Sequence, residues 1–291
     1  MNVYLKSGFL AVILFIAAAC IKDSKDNEDC WKVLRIEPRW IDTSPQSSSS
    51  TVNILVTSTE DQDDVYTFTS DINGVDVNLP TGEYEFIGWE RADNVTVEER
   101  TVTVGSHASG TALEAGPFSG GSTIDEVVFN QLSQIIPLPM HQQTRQVYVR
   151  VIFTGNGLSL IDHVVGTLDG VALSRDIDNG FPPVNGEERP EVLRNGTVQF
   201  TLLRDSDGNY IDGHTLIGID GDSDQNLDVR VMFENDSFSN ISVDVTDAFD
   251  GFHTVNVHQP LYITLELNVG VNFEMNIIDW YEGTESWLEA Q

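Results

Sequence analysis

From Trp31 onward, apolar and polar residues alternate with a period of two along segment after segment, the pattern of strands that bury one face. Lys32–Glu37 opens the series, and Pro38 predicts an edge strand or a short one. A Ser-rich stretch over Thr43–Thr51, with Pro45, predicts a loop before the strand Val52–Thr57. The acidic cluster Glu60–Asp64 predicts a turn, and Asp71-Ile72-Asn73-Gly74 carries the Asn-Gly signal of a tight hairpin.

The most informative local block is Leu79-Pro80-Thr81-Gly82-Glu83-Tyr84-Glu85-Phe86-Ile87-Gly88-Trp89. Pro80 presets a turn dihedral and Gly82 fits the last position of that turn. Tyr84 and Phe86 then share one strand face, with Ile87 and Trp89 on the other, which predicts a central strand. Val95–Val104 alternates on both sides of Glu98-Glu99-Arg100, while Gly105–Thr123, rich in Gly, Ser and Ala, predicts loop. Pro137 and Pro139 precede a fresh strand, placing a domain boundary near 140–145.

In the second half, Gln146–Phe153 puts Val147, Val149, Val151 and Phe153 on one face. Further strands are predicted at Thr197–Leu203, Leu227–Phe233, Ile241–Val245, Leu261–Val269 and Val271–Ile278, the last two pairing around Gly270. Leu261–Val269 is expected to bury one face only. Leu158–Val165 is the best stretch for a short helix. The reading is all-β, with two tandem sandwich domains at 31–142 and 143–291.

The N-terminus follows a different pattern. Lys6 precedes the apolar run Phe9–Ala19, which falls short of the roughly 20 residues a membrane span needs but suits a signal peptide. Ala17-Ala18-Ala19 before Cys20 resembles the lipobox of bacterial lipoproteins, in which a peptidase cuts before the cysteine and its thiol is acylated. Residues 1–19 are therefore expected to be a signal peptide and Cys20 the lipidated N-terminus; an ordinary secretory signal cut near Ala19 is the alternative. Two acyl chains hold a protein stably on a membrane where one does not. The acidic run Lys22–Asp29 cannot bury enough apolar surface to fold, so 20–30 is expected to be a flexible tether. It also resembles the acidic signal that exports Bacteroidales lipoproteins to the outer face of the outer membrane.

Charge narrows the partners. With 15 basic and 46 acidic residues the net charge is −31, and loss of Lys6 with the signal peptide makes it more negative. Such a surface repels phosphate backbones, which excludes nucleic acid, and is compatible with cationic or calcium-bridged partners. With Cys20 acylated, Cys30 has no partner in the chain and no disulfide framework forms.

Cys20, the acidic tether with Cys30, an early strand and the Leu-Pro-x-Gly-x-Tyr-x-Phe-x-x-Trp block at 79–89 together resemble the Bacteroidales fimbrial anchor and accessory subunit lipoproteins, the minor-fimbrium anchoring subunits and their relatives. The family's Gly-containing turn is matched by Gly166-Thr167-Leu168-Asp169-Gly170, and its late Asp-Val-Thr turn by Asp244-Val245-Thr246-Asp247. The resemblance implies two transthyretin-like sandwiches, no catalysis or cofactor, and a place in a surface fimbrium whose subunits join by adding a strand across an open groove.

Candidate chemistry is sparse. Asp205–Asp212 and Asp220–Asp228 offer the alternating carboxylates that calcium takes. Gln225 stands where an EF-hand needs its Gly and Val231 where it needs its Glu, so both are expected to be polar loops without metal. His107, His141, His163, His214, His253 and His258 lack metal spacing, and no serine sits in a Gly-x-Ser-x-Gly elbow. The sequons at Asn94, Asn195, Asn235 and Asn240 are expected to be chance matches. Trp31, Trp40, Trp89, Trp280 and Trp287 suit core packing, or glycan stacking where exposed. The alternative function is accordingly a glycan-binding surface lipoprotein serving an outer-membrane importer. Exposed coplanar tryptophans favour that alternative, and an open groove beside the terminal strands favours the fimbrial reading.

Overall fold

The computed structural model describes residues 31–41, 51–129, 133–177, 192–252, 259–270 and 275–283. The early strands are β1 (Trp31–Trp40), β2 (Val52–Ser58), β3 (Val65–Ser70), β4 (Val75–Pro80), β5 (Gly82–Glu90), β6 (Val95–Glu98) and β7 (Thr101–Val104). Next come β8 (Ser119–Val127), β9 (Ile135–Gln142), β10 (Arg145–Thr154), β11 (Ile161–Asp176) and β12 (Val192–Arg204). The last are β13 (Tyr210–Leu216), β14 (Asn226–Phe233), β15 (Phe238–Asp244), β16 (Leu261–Val269) and β17 (Met275–Gly283). No α-helix occurs among the described residues, and the fold is an all-β sandwich architecture.

One sandwich packs the layer β3-β2-β5-β8 on β9-β1-β4, the layers meeting where Ser119 and Gly120 pair with Gln142 and His141. The other packs β15-β14-β11-β12 on β13-β10-β16-β17, joined where Leu203 and Arg204 pair with Ile211 and Tyr210. Setting the β6–β7 hairpin aside, both follow one path. The third, second, fifth and sixth strands make one layer, and the fourth, first and seventh the other. In each, first and seventh strands run parallel, β1 with β9 and β10 with β16. This is the transthyretin-like order. The second sandwich adds an eighth strand, β17, antiparallel to β16.

Inward side chains fill each sandwich. The first core holds Leu34, Ile54, Tyr84, Phe86, Leu138 and Met140, and the second Val149, Leu168, Phe200, Val231 and Leu265, all buried. β5 lies between β2 and β8 and buries both faces, with Ile87 belonging to a third cluster with Val102, Phe118, Ala172 and Ile217. That cluster is the junction. There β7 pairs through Thr101–Thr103 with Ser174–Asp176 of β11, so a hairpin from the first half of the sequence joins the second sheet. Arg175, fully buried, locks the junction. Its guanidinium donates to the carbonyls of Ile217 (2.5 Å), Asp176 (2.7 Å) and Gln143 (2.9 Å), and to Gln143 Oε1 (2.9 Å). Gln143 in turn donates to Gly120 O at 3.0 Å. A buried guanidinium is tolerable when its donors are satisfied in this way.

Several local expectations are corrected. Pro38 does not confine β1 to an edge: β1 runs ten residues between β9 and β4. β4 begins at Val75, opposite Ile36, so the missing N–H of Pro38 has no β4 partner to deprive. Asp71–Gly74 turns the chain, with Gly74 at φ +98°, but β3 and β4 pair with β2 and β1, so it crosses between layers and makes no hairpin. Leu158–Val165 forms a 3-10 turn at Leu158–Leu160 and then β11, because Ile161, Val164 and Val165 prefer the pleat. Ser119–Thr123, placed in a loop for its glycines, belongs to β8. A Cβ on Gly120 would stand 2.9 Å from Gly88 O, so glycine permits the close approach there. Gly166–Gly170 lies within β11, where a register shift at Gly170 (φ +71°) replaces the expected turn. Leu261–Val269 buries both faces: Leu261, Ile263, Leu265 and Leu267 point into the core, and on the other side Tyr262 stacks on Tyr148 at 5.0 Å.

Candidate functional site

A sandwich offers other molecules two kinds of surface, strand edges and outer faces, and here the edges differ in how far they are already used. Among the described residues the first sandwich has no eighth strand beside β9, and β8 pairs with β9 only at Ser119–Gln142 and Gly120–His141, which leaves an arch between them. Arg35 N donates to Gln134 O (2.9 Å) and Ile41 N to Met140 O (3.1 Å), so even-numbered residues of β9 turn their backbone groups toward β1. The odd-numbered ones face the arch, and two of these are Pro137 and Pro139, which have no N–H to give. At the two ends of the arch, glutamines take the place of a neighbouring strand beside β8. Gln134 donates to Glu126 O (2.6 Å) and accepts from Val128 N (3.2 Å). At the other end Gln143 donates through its backbone to Phe118 O (2.8 Å) and through its side chain to Gly120 O. Proline and side-chain capping are the ordinary means of blunting an edge.

β15 differs. Val245 N donates to Gln225 O (2.9 Å) and Phe233 N to Ser237 O (3.0 Å), so odd-numbered residues face β14. Phe238, Asn240, Ser242 and Asp244 therefore turn their backbone groups outward, and no strand pairs there among the described residues. β15 has no Pro and no Lys, and its only charge is Asp244. The outer face of the same layer is hollowed. Val165 and Thr167 of β11 form a floor between Gln199 of β12 and Asp228 and Arg230 of β14, with Asn240 of β15 beyond, around a cavity of about 440 Å³.

The acidic loops consume their own carboxylates. Asp205 Oδ1 accepts from the backbones of Asp207 (2.9 Å) and Asn209 (2.8 Å). Asp220 accepts from Ser223 Oγ (2.6 Å), Asn195 Nδ2 (2.6 Å) and Asp222 N (3.1 Å), and the Ser223 bond leads in holding its carboxyl below the usual range. Asp244, bonded by Thr246 Oγ1 (2.7 Å) and N (3.0 Å), is lowered for the same reason and ends β15 at a 3-10 turn, Thr246–Phe249. Among the described residues no three His, Cys, Asp or Glu side chains group as metal ligands.

Pro80 ends β4, and Gly82 (φ +156°) opens β5, where Tyr84 and Phe86 are buried and Trp89 is half-buried. Burial, then the nearby Tyr66, Asp64 and Glu60, push the Tyr84 hydroxyl up to about 12. Trp31 is half exposed but stands edge-on to Tyr66 at 6.3 Å, and Tyr66 to Tyr84 at 6.3 Å, so it continues the first core. Trp40 and Trp89 pack against cores, leaving no coplanar tryptophan platform among the described residues. Cys20, Cys30, His253, His258 and Trp287 lie outside the described residues.

No protein-family model matches this sequence, and neither does any curated protein. Solved structures do match. The fimbrial anchor protein Mfa2 from Porphyromonas gingivalis superposes with a TM-score of 0.62 at 9% identity, covering 88% of this chain and 98% of that one. The chain shares the fold of a fimbrial anchor. A candidate adhesin from Bacteroides ovatus matches with a TM-score of 0.60 at 10% identity, over 77% of this chain and 87% of that one. A candidate polysaccharide-binding protein from Bacteroides thetaiotaomicron matches at 0.54 and 13%, over 89% and 99%. At such identities the likeness is one of fold, held by the pairing path and by few shared side chains.

Proposed function

We propose that this chain is a non-catalytic cell-surface lipoprotein, a fimbrial anchor or accessory subunit that joins its fibre by strand addition. The observation carrying the reading is the contrast between edges: the arch of the first sandwich is blunted at Pro137, Pro139, Gln134 and Gln143, while β15 turns the backbone groups of Phe238, Asn240, Ser242 and Asp244 outward with no strand paired to them among the described residues. An edge of that kind takes up a neighbour's strand through main-chain bonds.

Position supports the choice. The chain enters the first sandwich at Trp31, the end of β1 away from the junction, because the opposite end, Trp40, pairs with Met140 just before β10. Cys20, acylated in this reading, and a tether of residues 21–30 hold that end within about 35 Å of the outer membrane. The two domains, 31–142 and 143–291, then stand one above the other, and β15 belongs to the outer one. Fibres sheared from cells test the proposal. The chain carrying Ser242→Pro, which removes an outward N–H and leaves the β14 ladder intact, should be missing from fibres that hold the wild type. Equal amounts of both would rule out the β15 edge.

A further inference from the structure

The hollow on the outer face of β12-β11-β14-β15 is a second surface, separate from the strand edge in its chemistry. We propose that it binds a neutral hexopyranose, as one residue of a surface polysaccharide. Its shape comes from side-chain length along one row of the sheet. Thr167 pairs with Gln199 on one side and Asp228 on the other, and Val165 with Thr201 and Arg230, so the short Thr167 and Val165 are bordered by the longer Gln199, Asp228 and Arg230. The cavity of about 440 Å³ is within the range of small-molecule sites, about 300–1,000 Å³.

The lining is suited to a ring of hydroxyls. A sugar hydroxyl both donates and accepts, and adjacent hydroxyls need both kinds of partner side by side. Asp228 accepts, Arg230 donates, and the amides of Gln199 and Asn240 and the hydroxyl of Thr167 do both. Val165 gives the C–H face of a pyranose an apolar contact. Arg230 is held in place, with its guanidinium 4.0 Å over the Phe238 ring, which lowers the ordering cost of binding. The side chains of Gln199, Asp228 and Asn240 have no hydrogen bond or ion pair within the described residues, whereas Asp205, Asp212, Asp220 and Asp244 are all committed to nearby groups.

The same residues exclude other ligands. One small apolar side chain in the floor is too little for a lipid or an aromatic ligand. Asp169, two residues along β11, has its carboxyl raised first by burial and then by Asp228. The Asp228 carboxylate in the lining and the net charge of −31 disfavour uronates, sialates and phosphates. Among the described residues no third ligand joins Asp228 and Asp169 to make a cation site. What remains is an uncharged polyol.

Saturation-transfer NMR on the soluble mature chain tests this with glucose, galactose and mannose at millimolar concentration and glucuronate as the charged control. Transfer to at least one neutral hexose is expected, with little to glucuronate. Asp228→Ala and Gln199→Ala should each weaken it at least tenfold with an unchanged melting temperature, while Ser242→Pro leaves it intact. The proposal is overturned if none of the three sugars receives saturation, if glucuronate receives as much, or if either pocket variant binds as the wild type does.

Discussion

Single residues show where the sequence speaks plainly and where it does not. Tyr84 and Phe86 were legible as one face of a strand because period-two patterning with aromatics has few other readings, and both are buried. Truncating Phe86 to Ala should cost about 3–5 kcal/mol, read by urea unfolding; a loss under about 1 kcal/mol would mean that the core collapses around the gap. Arg175 carried no signal at all. An arginine in a strand reads as a solvent-facing residue, and only the fold brings Gln143 and Ile217 to it. Arg175→Met should leave buried carbonyls without donors and destabilise the chain by about 2–4 kcal/mol, with the two sandwiches unfolding in separate steps. A single transition at the wild-type midpoint would contradict that role. Asp220 gives a pH test. Its folded carboxyl titrates below the ordinary value, so its stabilising effect is present above the usual carboxylate range and is lost as pH falls through the lowered folded value. The melting-temperature gap between wild type and Asp220→Asn should therefore be open at neutral pH and close on acidification. A gap independent of pH would assign the effect to the amide itself.

Among elements, strands were readable and their partners were not. Alternation placed β2, β5, β10, β14 and β16, yet β13 was hidden behind an acidic loop, since Asp212, Gly213 and His214 break the apolar period. The glycines of β8 looked like loop because composition reports flexibility and not the close approach of a neighbouring strand. Register decides function here more than strand identity does. Pro137 and Pro139 mean little until the parallel pairing with β1 aims them into the arch, and Ser242 matters only because its backbone faces away from β14. β17 pairs with β16 from Met275 to Gly283, so deleting Val271–Gln291 uncovers a central strand. That truncation should lose incorporation into fibres and, with an apolar strand exposed, should also aggregate on light scattering. A monodisperse truncated chain still found in fibres would show that β17 is dispensable for both.

At the scale of the molecule, two copies of one transthyretin-like path meet at a buried arginine, and β15 forms a sheet edge of the second. The sequence revealed the all-β class, because strands and turns alternate throughout; the common path and the β6–β7 exchange depend on long-range pairing that no local pattern encodes. The proposed anchoring rests on a fatty acyl group at Cys20. Labelling with an alkyne fatty acid should mark the wild type and not Cys20→Ala, and equal labelling would remove the membrane from the account. The central claim is strand addition at β15, and site-directed photo-crosslinking reaches it most directly. A crosslinking residue at Ser242 should capture a fibre subunit on living cells, while the same residue at Glu126, whose carbonyl Gln134 already caps on β8, captures none. Crosslinks from Glu126 without any from Ser242 would contradict strand addition at β15.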